Sequence, residues 1–256
     1  MNLGAGLRDR APQISLARLA VFLAIIGPGI ITANVDNDAG GITTYSIAGA
    51  HFGYSLLWLL IPITFALFVV QEMCARMGVV TGKGLADLIR ERFGIKPTVV
   101  LLLGFIIANL CTTTAEFAGV AASMEIFGVS KYVSVPVAAV LVWSIVVMGN
   151  RRTLEKIFLV ASSVYITYIV SGLMLKPDWK FLFTQTVTPS LSLESGYLYM
   201  VIGIVGTTIT PWMQFYLQST IVEKGIKISE YKYTKWDVYV GCLITDVVSY
   251  FIIFTC

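Results

Sequence analysis

GPGIITANVDNDAGGITTYSIAGA, running from Gly27 to Ala50, is the stretch on which the fold turns. It lies inside an apolar run long enough to cross a bilayer, yet it carries two acids, two asparagines and five glycines. Hydrocarbon tolerates irregular backbone only where protein encloses it or where it lines a wet cavity. The centre of this span is therefore expected to unwind into a polar site. Asp36 and Asp38, two residues apart, cannot both face one point if the backbone between them is extended. One then faces the cavity while the other meets water or caps a half-helix, and Asp38, directly before AGGITTY, is placed to cap the second half.

Outward from that stretch, 57% of the 256 residues are hydrophobic and 13% charged, with a mean hydropathy of +0.81. This composition excludes an ordinary soluble domain and predicts an all-α polytopic membrane protein. At about 20 apolar residues per crossing, seven spans are expected, near residues 19–50, 54–79, 98–126, 132–149, 156–175, 195–222 and 237–256. With the N-terminus in the cytoplasm, alternating loops place all but Lys131, Lys176 and Lys180 of the 18 lysines and arginines inside, the positive-inside pattern of a multi-pass cell-membrane protein. The net charge of +3 is thus a matter of topology, and no basic patch interleaved with aromatics points to nucleic acid. TGKGLADLIRERFG reads as a surface helix with Leu85, Leu88, Ile89 and Phe93 on one side. Residues 176–194, with Pro177 and Pro189, read as a surface connector. Cys74, Cys111, Cys242 and Cys256 lack CxxC or Cys/His spacing and read as small buried hydrophobes.

The sixth span, YLYMVIGIVGTTITPWMQFYLQST, holds Gly203, Gly206, three threonines and Pro211 at its middle. Proline removes a backbone donor and glycine weakens the helix, so the ladder is expected to break between Thr207 and Pro211. A simple kink re-satisfied by threonine hydroxyls is the alternative. The first and sixth spans open successive blocks of five, one starting inside and the other outside. That is the pattern of an inverted repeat whose paired broken helices form a mid-membrane site. The organisation expected is a cytoplasmic segment at 1–18, a first repeat of five helices at 19–175, an outer loop at 176–194 and the start of a second repeat at 195–256. A remaining C-terminal part, or a second polypeptide, then completes the fold.

Charges at bilayer depth are functional candidates by default. Glu116 stands mid-span in TTTAEFAG, with a hydrogen-bonded packing acid as its alternative. Glu72 and Glu125 sit near span ends, Asp246 is open in role, and His51 falls in a turn. A protease dyad of Asp38 with Asp246 lacks the Gly-x-Gly-Asp context, so no enzyme activity is expected.

At this point GPGIITANVDNDAGGITTYSIAGAHFGYSLLW, QEMCARMGVVTGKGLADLIRERFG and GTTITPW together resemble the Nramp family of divalent-metal transporters, which have a LeuT-like fold. In that family Asp-Pro-Gly-Asn interrupts the first helix and Ala-x-x-Met-Pro-His the sixth. Here Asp38, Ala39, Gly40 and Gly41 stand at the first interruption, and Thr207, Thr208, Ile209, Thr210, Pro211 and Trp212 at the second. The acid and the proline remain, while the asparagine, methionine and histidine do not. The resemblance implies metal binding by Asp38, Gly41, Thr207 and Thr210, with Asp36, Glu116 and Trp212 along the transport pathway. Thr210 in place of methionine removes the soft ligand, and oxygen ligands suit magnesium, calcium or manganese. The pattern is similar to the Nramp-related magnesium transporters. It implies alternating-access transport of hydrated magnesium with manganese tolerated. Loss of the helix-six histidine implies no proton coupling. The alternatives are a proton-coupled manganese or iron transporter, a sodium-coupled organic-solute transporter of the same fold, and a non-transporting receptor or assembly subunit. No cofactor is expected; the partners expected are the divalent ion and the lipid bilayer.

Overall fold

The computed structural model describes residues 37–150, 153, 157 and 160–256, and its regular structure there is helical throughout. Helix α1 (Ala39–Phe52) runs through a 3-10 stretch, Gly53–Leu59, into α2 (Leu60–Thr81). There follow α3 (Leu85–Phe93), α4 (Ile95–Ile126), α5 (Lys131–Met148), α6 (Ile166–Met174), α7 (Trp179–Val187), α8 (Ser195–Thr208), α9 (Pro211–Lys224) and α10 (Tyr231–Thr255). Among the described residues, five stretches are long and apolar enough to cross a membrane: Ala39–Thr81, Ile95–Ile126, Lys131–Met148, Ser195–Lys224 and Ile228–Thr255. Val160–Met174 is a shorter apolar helix. The opening half of the first expected span, Asp36 included, and parts of the fifth lie outside the described residues.

Ala39–Thr81 is a single helical track that nevertheless makes two passes. Asn37 meets Thr245 and Ser249, and Gly49 abuts Ile253, so α1 and α10 run in parallel. The start of α2 joins Ile252 and Ile253 in one core, while its later residues join Val238 and Cys242 in another, so α2 runs against α10. The chain reverses at Gly53, whose φ of 55° is easily reached only by a residue without Cβ.

Two cores stack along the bundle. One gathers Tyr45, Leu56, Leu182, Ile204 and Ile252 from α1, the turn after it, α7, α8 and the end of α10. The other gathers Leu67, Ala75, Met213, Leu217 and Val238 from α2, α9 and α10. Between lipid-bathed helices close packing replaces the hydrophobic drive, and small residues permit it. A Cβ on Gly49 would lie 2.1 Å from the Ile253 carbonyl oxygen, which shows how near those two backbones come. By contrast α4 and α5 leave large apolar side chains such as Ile107, Leu110 and Trp143 exposed.

Two expectations need correction. Residues 176–194 hold a helix, α7, begun by Asp178, whose carboxylate accepts from Lys180 N at 3.0 Å and Phe181 N at 3.2 Å. The flanking prolines had marked only a connector, although Leu182 is buried. Of the four cysteines, Cys74 and Cys242 are buried, but Cys111 and Cys256 are exposed, because an apolar helix has an outer face as well as a core face. The surface helix α3 forms where its apolar spacing placed it.

Candidate functional site

Asp38 is the residue just before α1, with extended backbone, and its Oδ1 accepts a hydrogen bond from Gly41 N at 2.7 Å. A helix start leaves four backbone donors without partners, and this N-cap satisfies one of them while setting a carboxylate at the positive end of the helix dipole. Glu116 of α4 serves a second: its Oε2 accepts from Ala39 N at 3.3 Å, while its Oε1 is buried without a partner among the described residues. The two carboxyl groups stand side by side. Helices α1 and α4 approach this closely because residue 119 is glycine; a Cβ there would fall 2.6 Å from the Ala39 Cβ.

The second break separates α8, ending at Thr208, from α9, starting at Pro211. In a continuous helix the N–H of residue 211 would bond the carbonyl of Thr207. Proline has no N–H, so that bond is not made. Thr210 occupies the cap position of α9 without capping it, and its buried Oγ has no partner among the described residues. Thr208 has a different task. Its hydroxyl pairs with Tyr45 OH at 2.7 Å and with the Ile204 carbonyl at 2.8 Å, tying α8 to α1. The nearby sulfur of Met213 is already engaged by Gln71 Nε2 at 3.3 Å.

Asp38, Glu116 and Trp212 line one cavity of about 640 Å³, together with Asn109, Thr112 and Thr113. Positions 109, 112, 113 and 116 recur at helical spacing and form a polar stripe on one face of α4. Sequence reasoning took Glu116 and missed Asn109 and Thr112, although that i, i+3, i+4, i+7 pattern inside an apolar span was the available signal. Asp38 and Glu116 also line a second cavity of about 630 Å³ with Asn37, Thr43 and Tyr168, so the carboxyl pair stands between two cavities. Gly41 is joined to the site through its N–H on Asp38. Thr207 and Thr210 lie at the second break and line neither cavity. Asp36 lies outside the described residues.

Among the described residues no three His, Cys, Asp or Glu side chains cluster as a metal centre. A cation held here would rely on one or two carboxylates completed by hydroxyl, carbonyl and water oxygens. That is the chemistry of a hard ion that keeps part of its water.

Comparison with known proteins fits this arrangement. A family model described as "Natural resistance-associated macrophage protein-like" matches residues 29–256. The "Divalent metal cation transporter MntH" of Yersinia pestis (strain Pestoides F) is 31% identical over 258 residues, covering 95% of this chain and 61% of that protein. Its counterpart from Yersinia pseudotuberculosis serotype O:1b (strain IP 31758) matches to the same extent. This chain therefore spans 61% of the length of these curated relatives. The crystal structure of the Eremococcus coleocola manganese transporter in complex with an aromatic bis-isothiourea substituted compound superposes with a TM-score of 0.81 at 22% identity, over 98% of this chain and 55% of that one. A mutant of the same transporter gives 0.80 at 22% identity, over 96% and 52%. The architecture is the LeuT-like fold.

Proposed function

Because the chain belongs to the Nramp family, we propose that it acts in transmembrane transport of a divalent metal cation, hydrated magnesium with manganese tolerated, by alternating access and without proton coupling. The observation that carries this reading is the donor set at the two breaks, which is all oxygen. Asp38 supplies the charge, the Thr207 carbonyl is freed by Pro211, and Thr210 presents an unpartnered hydroxyl. Hard oxygen ligands suit magnesium and manganese, whereas a thioether would draw softer metals. The sulfur of Met213, two residues past Pro211, is committed to Gln71.

Space supports a hydrated ion. A water molecule occupies roughly 30 Å³ in the liquid, so a cavity of about 640 Å³ beside Asp38 and Glu116 has room for an ion with its inner water shell. The absence of coupling rests on chemistry at position 212. Trp212 carries no titratable group, and the side chain best suited to relay protons near neutrality is histidine. The magnesium-transporter branch is the part of the family this donor set fits. Asp36, Glu116 and Trp212 then line the route of the ion, with the N-terminus on the cytoplasmic side, which lysine and arginine placement supports.

A second reading is a proton-coupled manganese or iron transporter, and the relatives' names, which specify divalent metal cations and manganese, favour its choice of ion. One assay separates the two. Full-length protein in proteoliposomes is given magnesium, manganese or calcium with internal pH followed. The expected result is magnesium and manganese uptake at constant pH, and none with Asp38→Ala. Acidification in step with uptake would falsify the uncoupled mechanism.

A further inference from the structure

Away from the transport site, the seam between α2 and α10 opens into a lateral groove of about 550 Å³. Positions 65, 68, 69, 72, 73 and 76 form its wall on α2, and 236, 239, 240 and 243 its wall on α10. Both sets keep i, i+3, i+4, i+7 spacing, so the groove is one face of each helix and runs along their axes. None of these residues lines either cavity that contains Asp38.

Its two ends differ. The deeper end, with Phe65, Val69, Val240 and Leu243, is apolar and open. The other end, towards the close of α2 at Thr81 and the start of α10 at Tyr231, carries Glu72, Arg76 and Trp236. There the acid is turned in and the base out. Tyr231 donates its hydroxyl to Glu72 Oε1, and Arg76 Nη2 stands 3.7 Å from Glu72 Oε2. The Glu72 side chain is 15% exposed and that of Arg76 57%. One long ion pair leaves most of the five guanidinium donors of Arg76 unused among the described residues. A second cation is at hand, since Lys235 Nζ lies 5.4 Å from the centre of the Tyr239 ring, itself part of the wall. The amphipathic helix α3 begins at Leu85, just past Thr81, which sets this charged end near the boundary of membrane and water.

Length narrows the choice of occupant. Phe65 and Arg76 lie three helical turns apart, about 16 Å at 1.5 Å per residue. That is half of a hydrocarbon core of about 30 Å, the depth of one leaflet. A crossing helix has to be met over the full thickness, whereas a lipid with its headgroup at the boundary fills one leaflet. We propose that this groove binds one anionic phospholipid, its phosphate on Arg76 and Lys235 and an acyl chain against Phe65, Val69 and Leu243. A guanidinium matches phosphate oxygens in pairs, and basic pockets between membrane helices suit such headgroups. Trp236 sits between the charged and apolar ends, where an indole ring is at home in a membrane. Arg76 and Lys235 against the single acid Glu72 leave one positive charge, which an anionic headgroup neutralises and a zwitterionic one does not. The inference stands whatever ion Asp38 carries.

The test titrates full-length protein in neutral detergent micelles with dibrominated phosphatidylglycerol or dibrominated phosphatidylcholine while tryptophan fluorescence is followed. Bromine on an acyl chain quenches an indole it touches, and the difference between native protein and Trp236→Phe isolates position 236. Saturable quenching of that share is expected, with phosphatidylglycerol acting at lower concentration than phosphatidylcholine. Arg76→Gln removes a charged donor and should raise the phosphatidylglycerol midpoint about tenfold while leaving the phosphatidylcholine midpoint in place. Should that variant fail to fold, Lys235→Gln reads the same charge from the other helix. Val69→Phe, at an exposed position without charge, should fill the apolar end and weaken binding with the unfolding midpoint unchanged. Equal midpoints for the two lipids, or quenching unaltered by Arg76→Gln and Val69→Phe, would mean bulk lipid without a site and overturn the proposal. So would the lack of any quenching at position 236, which would show the groove covered by another part of the full-length chain. Inorganic phosphate should not compete; if it did, the site would belong to a free anion and the lipid assignment would fall.

Discussion

The starts of α1 and α9 solve the same backbone problem in opposite ways. Before α1 the orphan N–H groups are met by side chains, with Asp38 on Gly41 N and Glu116 on Ala39 N. Between α8 and α9 no side chain caps the helix, and Pro211 takes the first position. Proline at that position has no donor to satisfy and arrives with its φ already helical. The first break therefore concentrates negative charge and uses much of its bonding capacity locally. The second leaves a neutral oxygen, the Thr210 hydroxyl, without a partner among the described residues. In the proposed transport site the first would then give attraction and the second selection.

Substitution at Asp38 tests that division most severely. Asp38→Ala removes charge and cap together, so flux should vanish and stability should fall by about 1 kcal/mol. Asp38→Asn keeps an acceptor for Gly41 N, so the melting midpoint should hold while flux is still lost. An asparagine variant that transports normally would reduce the first break to a structural cap. A smaller effect is expected at the second break. Thr210→Met, judged by competition between magnesium, manganese and cadmium, should move preference towards the softer ions with little change in stability, because Thr210 makes no cap bond. Unaltered selectivity would take Thr210 out of the site. The smallest change belongs to the tie between the two halves. Tyr45→Phe deletes the hydroxyl on Thr208, which keeps its bond to Ile204, so about 1 kcal/mol of stability should go while ion preference stays the same.

The start of α1 and the interruption between α8 and α9 could be seen in the residues, because glycine, proline and an acid inside an apolar span conflict with a continuous helix. The start of α1 right after Asp38 and the gap at Ile209 and Thr210 fall where that conflict is strongest. What composition does not carry is the direction a side chain faces. Cys111 and Cys74 sit in equally apolar sequence, yet one is exposed and the other buried, since lipid and protein core favour the same residue types. Asp246 shows the same limit for charge, because the neighbour that meets its carboxyl is Thr64 of α2, which no local pattern carries. The stripe from Asn109 to Glu116 was within reach of periodicity and is a lesson in counting polar positions as carefully as apolar ones. In α7 the prolines on either side hid a helix whose start was written in Asp178.

The near-contact of Gly49 with the Ile253 carbonyl has a mechanical side. Two helices meshed backbone to backbone cannot slide or roll past one another without clashing, and Asn37 pins the other end of the same pair through Ser249. Helices α1 and α10 thus behave as a single strut. Among the described residues, reorientation then falls to the joint of Ile209 and Thr210, and a bulky residue at position 49 would pry the strut apart and leave that joint without a fixed frame to turn against.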